Sequence, residues 1–185
     1  RWILFIMMAY AVLLVQSTFG GLLAITFRSV GAVGPDMAAA LAVFAALYVR
    51  SSLDAMIAGW VLGFFVDLLA GGPTGVLSPV GPMSMSYALA SGVAFGLREA
   101  FFRERPSARF MLTLVFCLIA HGTWVTVQTI LASSVMTWGD YGRMLLQAGL
   151  LSAYSALLAP VLCVLFDRTR GLLIIAPSGR GRRYR

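Results

Sequence analysis

Few residues in this 185-residue chain are of types that do chemistry, and their spacing is most regular in one stretch, GWVLGFFVDLLAGGPTGV. Gly59, Gly63, Asp67, Gly71 and Gly75 recur there every four residues. On a helix, residues four apart share a face, so Gly59, Gly63 and Asp67 form a strip without bulk from which one carboxylate projects. Small residues at this spacing let a second helix backbone come close, which is how helices associate where lipid supplies no hydrophobic drive. Ala88, Gly92 and Gly96 repeat the device further on. These two segments are expected to pack tightly, on each other or on a partner helix. Asp67 is the only acid well inside an apolar run, and an intramembrane carboxylate is costly unless it has a partner. It suits a clamp that accepts N–H groups from the Gly71–Gly75 turn or from the start of the following helix, where the dipole favours negative charge. A proton or ion relay would need a second buried charge, which the sequence does not offer.

Enzyme chemistry finds little material. A metal site needs several converging ligands, and the apolar runs hold one histidine, one aspartate and two distant thiols, Cys117 and Cys163. A serine–histidine dyad of the rhomboid protease kind would draw on Ser84, Ser86 or Ser91 with His121. The Gly-x-Ser-Gly setting is missing, and the histidine falls one span too early. No catalytic residue, cofactor or metal is expected. His121 reads as a hydrogen-bonded core histidine, the cysteines as small buried hydrophobes, and Gln16, Gln128 and Gln147 as interhelical hydrogen-bonding groups.

The elements that hold these residues follow from composition. With 60% hydrophobic and 11% charged residues, the chain has too few charges to cover a water-facing surface, since a soluble domain carries about 25%. An all-α polytopic membrane protein is expected, a single six-span domain over residues 1–170 with helices near 2–27, 30–49, 53–70, 80–97, 110–132 and 144–166. The first run is uncharged over 26 residues, longer than the roughly 7–15-residue core of a signal peptide. The second is awkward: residues 37–49 reach only about 20 Å at 1.5 Å each, short of a hydrocarbon core of about 30 Å. It spans if its helix starts near Val30 and bends at Pro35, which suits a first helical turn, or if the bilayer thins.

Charge supports six spans. All fourteen basic residues are arginine, against seven acids. Alternating sides put Arg1, Arg50, Arg98, Arg103, Arg105, Arg109, Arg168, Arg170, Arg180, Arg182, Arg183 and Arg185 together, leaving Arg28 and Arg143 opposite. The positive-inside rule then makes both termini cytoplasmic, in a cytoplasmic (inner) membrane. Trp2, Trp138 and Tyr141 fit interfacial anchors. Residues 171–185 form a basic tail: Leu172 to Ile175 is too short to cross and reads as a strand or turn on the membrane surface. Arg180, Arg182, Arg183 and Arg185 are drawn to anionic lipid headgroups, at about 1 kcal/mol per basic residue. Nucleic acid is not expected, because no aromatic-and-basic platform accompanies the cluster.

Taken together, Pro35-Asp36 opening a short second helix, then Arg50, then the glycine–aspartate run, resembles MreD, the rod-shape-determining membrane protein family of bacteria. The family pattern of two glycines and an aspartate four apart, followed by a Gly-rich turn, falls here on Gly59, Gly63, Asp67, Gly71, Pro73 and Gly75. Thr74 stands where many relatives carry leucine. The resemblance covers about forty residues. It implies a helix arrangement similar to the substrate-binding subunits of energy-coupling-factor transporters. It also implies a non-catalytic scaffold of the machinery that builds lateral peptidoglycan. The implied partners are MreC directly and, through it, RodA, a class B penicillin-binding transpeptidase and MreB. The alternative expectation is a substrate-binding subunit of a transporter for a vitamin-sized molecule.

Overall fold

The computed structural model describes residues 2–28, 30–70, 81–98, 106–131 and 138–173. Six helices account for most of them: α1 (Trp2–Leu23), α2 (Met37–Tyr48), α3 (Ser52–Ala70), α4 (Pro82–Leu97), α5 (Pro106–Leu131) and α6 (Trp138–Leu173). Between α1 and α2 lies a small hairpin of β1 (Ile25–Phe27) and β2 (Gly31–Val33), antiparallel, with Thr26 opposite Ala32.

The short second helix is the centre of the molecule. Every residue of α2 from Met37 to Leu47 is buried, and α2 touches all five other helices. Six of its twelve residues are alanine, and small side chains let neighbours close in from all directions. Around it α3 lies against α4, α4 against α5, and α5 against α6.

The interior and exterior are distributed as lipid requires. Ser84, Ser86, Ser91, Thr113, Ser152 and Ser155 are buried, while Leu22, Ile3, Met85 and Val161 stand exposed at 80%, 74%, 72% and 69%. Three of these six hydroxyls turn back on their own helix: Ser86 donates to the Pro82 carbonyl at 2.7 Å, Thr113 to Arg109 at 2.8 Å and Ser152 to Ala148 at 2.6 Å. An outer surface this apolar would be a liability in water.

Four of the six described helices, α1, α3, α5 and α6, are long and apolar enough to cross a membrane. The expected count of six crossings is therefore not carried by helix length. With twelve residues α2 measures about 18 Å, and with sixteen α4 measures about 24 Å. The physical reason α2 escapes the length rule is burial, since a segment surrounded by protein is not required to match the hydrocarbon thickness.

Several boundaries also differ from expectation. The first helix ends at Leu23 instead of reaching 27, and the second starts at Met37 and not at 30. Ile25, Thr26 and Phe27 suit a strand, and Gly31 takes φ 88° on the return. Pro35 does not start the helix: it precedes Asp36, which is the N-cap. The last helix begins at Trp138 and continues to Leu173, so the first residues of the expected tail are helical.

Candidate functional site

Asp36 joins four helices at the start of α2. Its backbone takes the extended conformation of an N-cap, and Oδ1 accepts the Ala39 N–H at 3.1 Å. Oδ2 accepts the Tyr87 hydroxyl from α4, and His121 Nε2 of α5 stands 3.1 Å from the same oxygen. The Asp36 N–H donates to Ser155 Oγ of α6 at 2.8 Å. Two residues on, the Ala38 N–H donates to Gln16 Oε1 of α1 at 3.0 Å. The acid and these three partners are buried, with Asp36 at 6%, Tyr87 at 0%, His121 at 7% and Ser155 at 1% exposure. Tyr87 is further held edge-on against Phe116, with ring centroids 5.2 Å apart.

Asp67 is the only acid well inside an apolar run, yet the structure buries a second acid, Asp36, at the cap just ahead of one. Asp36 lies just ahead of the apolar run of α2, directly after Gly34 and Pro35, so a search of the runs themselves passes it by. A residual signal was present in the sequence: an aspartate directly ahead of an alanine-rich run is an N-cap pattern, and the cap of a buried helix is buried with it.

Asp67 sits against the first turn of α4. Its Oδ2 accepts the Gly81 N–H at 2.9 Å, the Ser84 N–H at 3.2 Å and the Ser84 hydroxyl at 3.2 Å. The carboxylate thus answers backbone donors that a helix start leaves without partners, and it lies where the helix dipole favours it. Gly81 caps α4 with φ 130°, a conformation that a side chain rarely adopts.

The glycine strip faces α4. A Cβ added at Gly59 would lie 2.1 Å from Ser91 Oγ and 2.6 Å from the Tyr87 carbonyl; one at Gly63 would lie 2.6 Å from the Met83 carbonyl. The second strip behaves differently. Gly92 has only the flexible end of Met56 nearby, at 3.3 Å, and an added Cβ at Gly96 would meet open space. Gly71, Pro73 and Gly75 lie outside the described residues, as do Arg180, Arg182, Arg183 and Arg185.

A second polar cluster closes the other end of α2. Arg109 Nη2 lies 2.7 Å from Asp167 Oδ2, Tyr48 donates to Asp167 Oδ1 at 3.1 Å, and Arg109 reaches the Tyr48 oxygen at 3.4 Å. Arg98 donates to the Val49 carbonyl at 2.6 Å and lies 3.6 Å over the Phe95 ring. The two clusters are related by a simple count. Asp36 and Tyr48, His121 and Arg109, Ser155 and Asp167 are each twelve residues apart, about 18 Å on a helix. The alternating helix directions therefore gather Arg50, Arg98, Arg109 and Arg168 at the Tyr48 end, away from the Asp36 end.

Among the described residues no three histidine, cysteine, aspartate or glutamate side chains come together as a metal site would require. The two cysteines are free and buried. Gln16 bridges helices as expected, and Gln147 donates to the Ala32 carbonyl of β2 at 3.1 Å, tying the hairpin to α6. What the arrangement does chemically is hold helices together. Comparison with protein-family models, with curated proteins and with solved structures finds no match.

Proposed function

We propose that this chain is a non-catalytic membrane scaffold of the MreD kind, acting in the bacterial cell-elongation complex and binding MreC. The observation that carries the reading is the use made of the glycine–aspartate motif on which the resemblance rests. Gly59, Gly63 and Asp67 are spent on fastening α3 to α4, an architectural use and not a reactive one. A body of buried tethers with an apolar exterior suits a protein that presents helix faces to neighbours in lipid. In this reading both termini are cytoplasmic, and the arginine-bearing Tyr48 end faces inward, following the positive-inside rule. RodA, the class B transpeptidase and MreB are the wider assembly.

The test is affinity purification from detergent-solubilised bacterial membranes. MreC is expected to travel with the wild-type chain, and Gly63→Leu or Asp67→Leu is expected to reduce its recovery and to round the cells. Absence of MreC, together with stabilisation of the purified chain by a vitamin-sized compound in a thermal-shift screen, would favour the transport subunit instead. Rods of normal width from both variants at normal protein level would count against the scaffold.

A further inference from the structure

We propose that the flank of α6 beside α1 binds an anionic phospholipid, with its phosphate on Arg168 and an acyl chain along the apolar side chains that lead up to it. Tyr154 fixes which flank this is, because its hydroxyl donates to the Leu23 carbonyl at the end of α1, at 3.1 Å. On a helix, steps of three and four residues stay on one side, so Leu158, Val161, Leu165 and Arg168 continue the side that Tyr154 begins. α1 touches α6 only lightly and leaves this side uncovered. Val161 and Leu165 are 69% and 56% exposed, and Arg168 is exposed as well. From Leu158 to Arg168 is ten residues, about 15 Å of helix and half of a hydrocarbon core of about 30 Å. The apolar stretch thus has the depth of one leaflet, with the guanidinium at its rim.

Charge selects the headgroup. Asp167, next to Arg168, is already answered by Arg109 at 2.7 Å and by the Tyr48 hydroxyl at 3.1 Å, so it does not neutralise its neighbour. Among the described residues Arg168 itself makes no ion pair. Arg98 stands at the same end of the bundle, on the Val49 carbonyl, and Arg50 follows Val49 directly. Together with Arg109 and Arg168 they stand against two aspartates among the described residues there, Asp54 and Asp167, which leaves an excess of positive charge. The opposite end has the reverse balance, with Asp36, Asp67 and Asp140 against Arg28 and Arg143. A guanidinium fork matches phosphate oxygens with two parallel hydrogen bonds, and basic groups at the ends of membrane helices suit anionic headgroups. A zwitterionic lipid brings the same phosphate with a cation that the arginines repel. Free phosphate would leave the apolar stretch unused, whereas an attached chain covers it.

The test uses the full chain purified in dodecylmaltoside. Native mass spectrometry reads bound dioleoylphosphatidylglycerol and dioleoylphosphatidylcholine, which share acyl chains and differ in net charge. The wild type is expected to prefer phosphatidylglycerol by about fivefold, the ratio that one basic residue carries at a membrane surface. Arg168→Gln is expected to bring the ratio close to one. Arg143→Gln, at an exposed arginine of the opposite end, is expected to leave it unchanged. No preference in the wild type, or an equal preference in Arg168→Gln, overturns the proposal, and so does an equal loss in Arg143→Gln. Glycerol phosphate supplies the phosphate without chains and is expected not to displace the lipid at the same concentration. Displacement would mark a plain anion site and overturn the lipid assignment.

In intact membranes, a photo-crosslinking residue in place of Val161 reports what lies on this flank. The expected adduct is with lipid. An adduct with a second copy of the chain, or with the span of another protein, overturns the proposal. The assignment uses no part of the MreC reading, so either can fail without the other.

Discussion

The two ends of α2 are held by polar clusters of similar size and unlike construction. At the Asp36 end an acid, a phenol, an imidazole and a hydroxyl from four helices are sealed in the interior. At the Tyr48 end the Asp167 side chain keeps 31% of its exposure and Arg109 only 9%, so one partner of the ion pair remains screened. The difference teaches where stability is concentrated. A sealed group whose partner is removed has nowhere to turn, whereas a half-exposed one recruits water.

The comparison can be broken most decisively at the sealed end. Asp36→Ala removes the cap of α2 and strands Tyr87 and His121, and is expected to cost about 3–5 kcal/mol, read as loss of folded protein on denaturant titration in micelles. Parity with an Asp167 variant would erase the contrast.

Next comes the α3–α4 seam. Gly63→Ala forces a Cβ against the Met83 carbonyl at 2.6 Å, where backbone cannot yield, and is expected to cost about 1–3 kcal/mol. Gly96→Ala, with open space around the new atom, should leave the thermal midpoint close to that of the wild type. Equal effects of the two would mean that α3 and α4 do not meet on this strip.

Asp67→Asn keeps size but weakens three charge-assisted contacts to the start of α4, an expected loss of about 1.5–3 kcal/mol. Faster proteolysis or hydrogen exchange across the first turn of α4 would localise it. The smallest effect belongs to the screened end: Asp167→Asn should cost about 0.5–1 kcal/mol and diminish in high salt. Salt-insensitivity would show that this pair is as sealed as the other.

How much of this was legible in the sequence differs by residue. The pairing of Gly59 and Gly63 with a close helix, and a role for Asp67 at a helix start, follow from a spacing of four, because periodicity is a local property. The Asp36 cluster was not legible, since its hydrogen bonds join residues 51, 85 and 119 positions apart. His121 was conspicuous as a lone histidine in an apolar run, but its partner lies outside those runs, at the cap of another helix. The twelve-residue intervals that relate the two clusters sit on three separate helices, so they acquire meaning only after those helices are known to be neighbours.

By itself, the amino-acid sequence determined that this is an apolar helical protein with its arginines segregated along alternating connections. That outcome depends only on composition and on order along the chain, and transfer from water to lipid acts on each segment separately. The tertiary structure alone decided that the shortest helix occupies the centre, that the glycine strip is consumed within the fold, and that Asp36 meets His121. Those outcomes depend on which helices become neighbours, and the close packing that selects among neighbours is a property of the assembled bundle, not of any one segment.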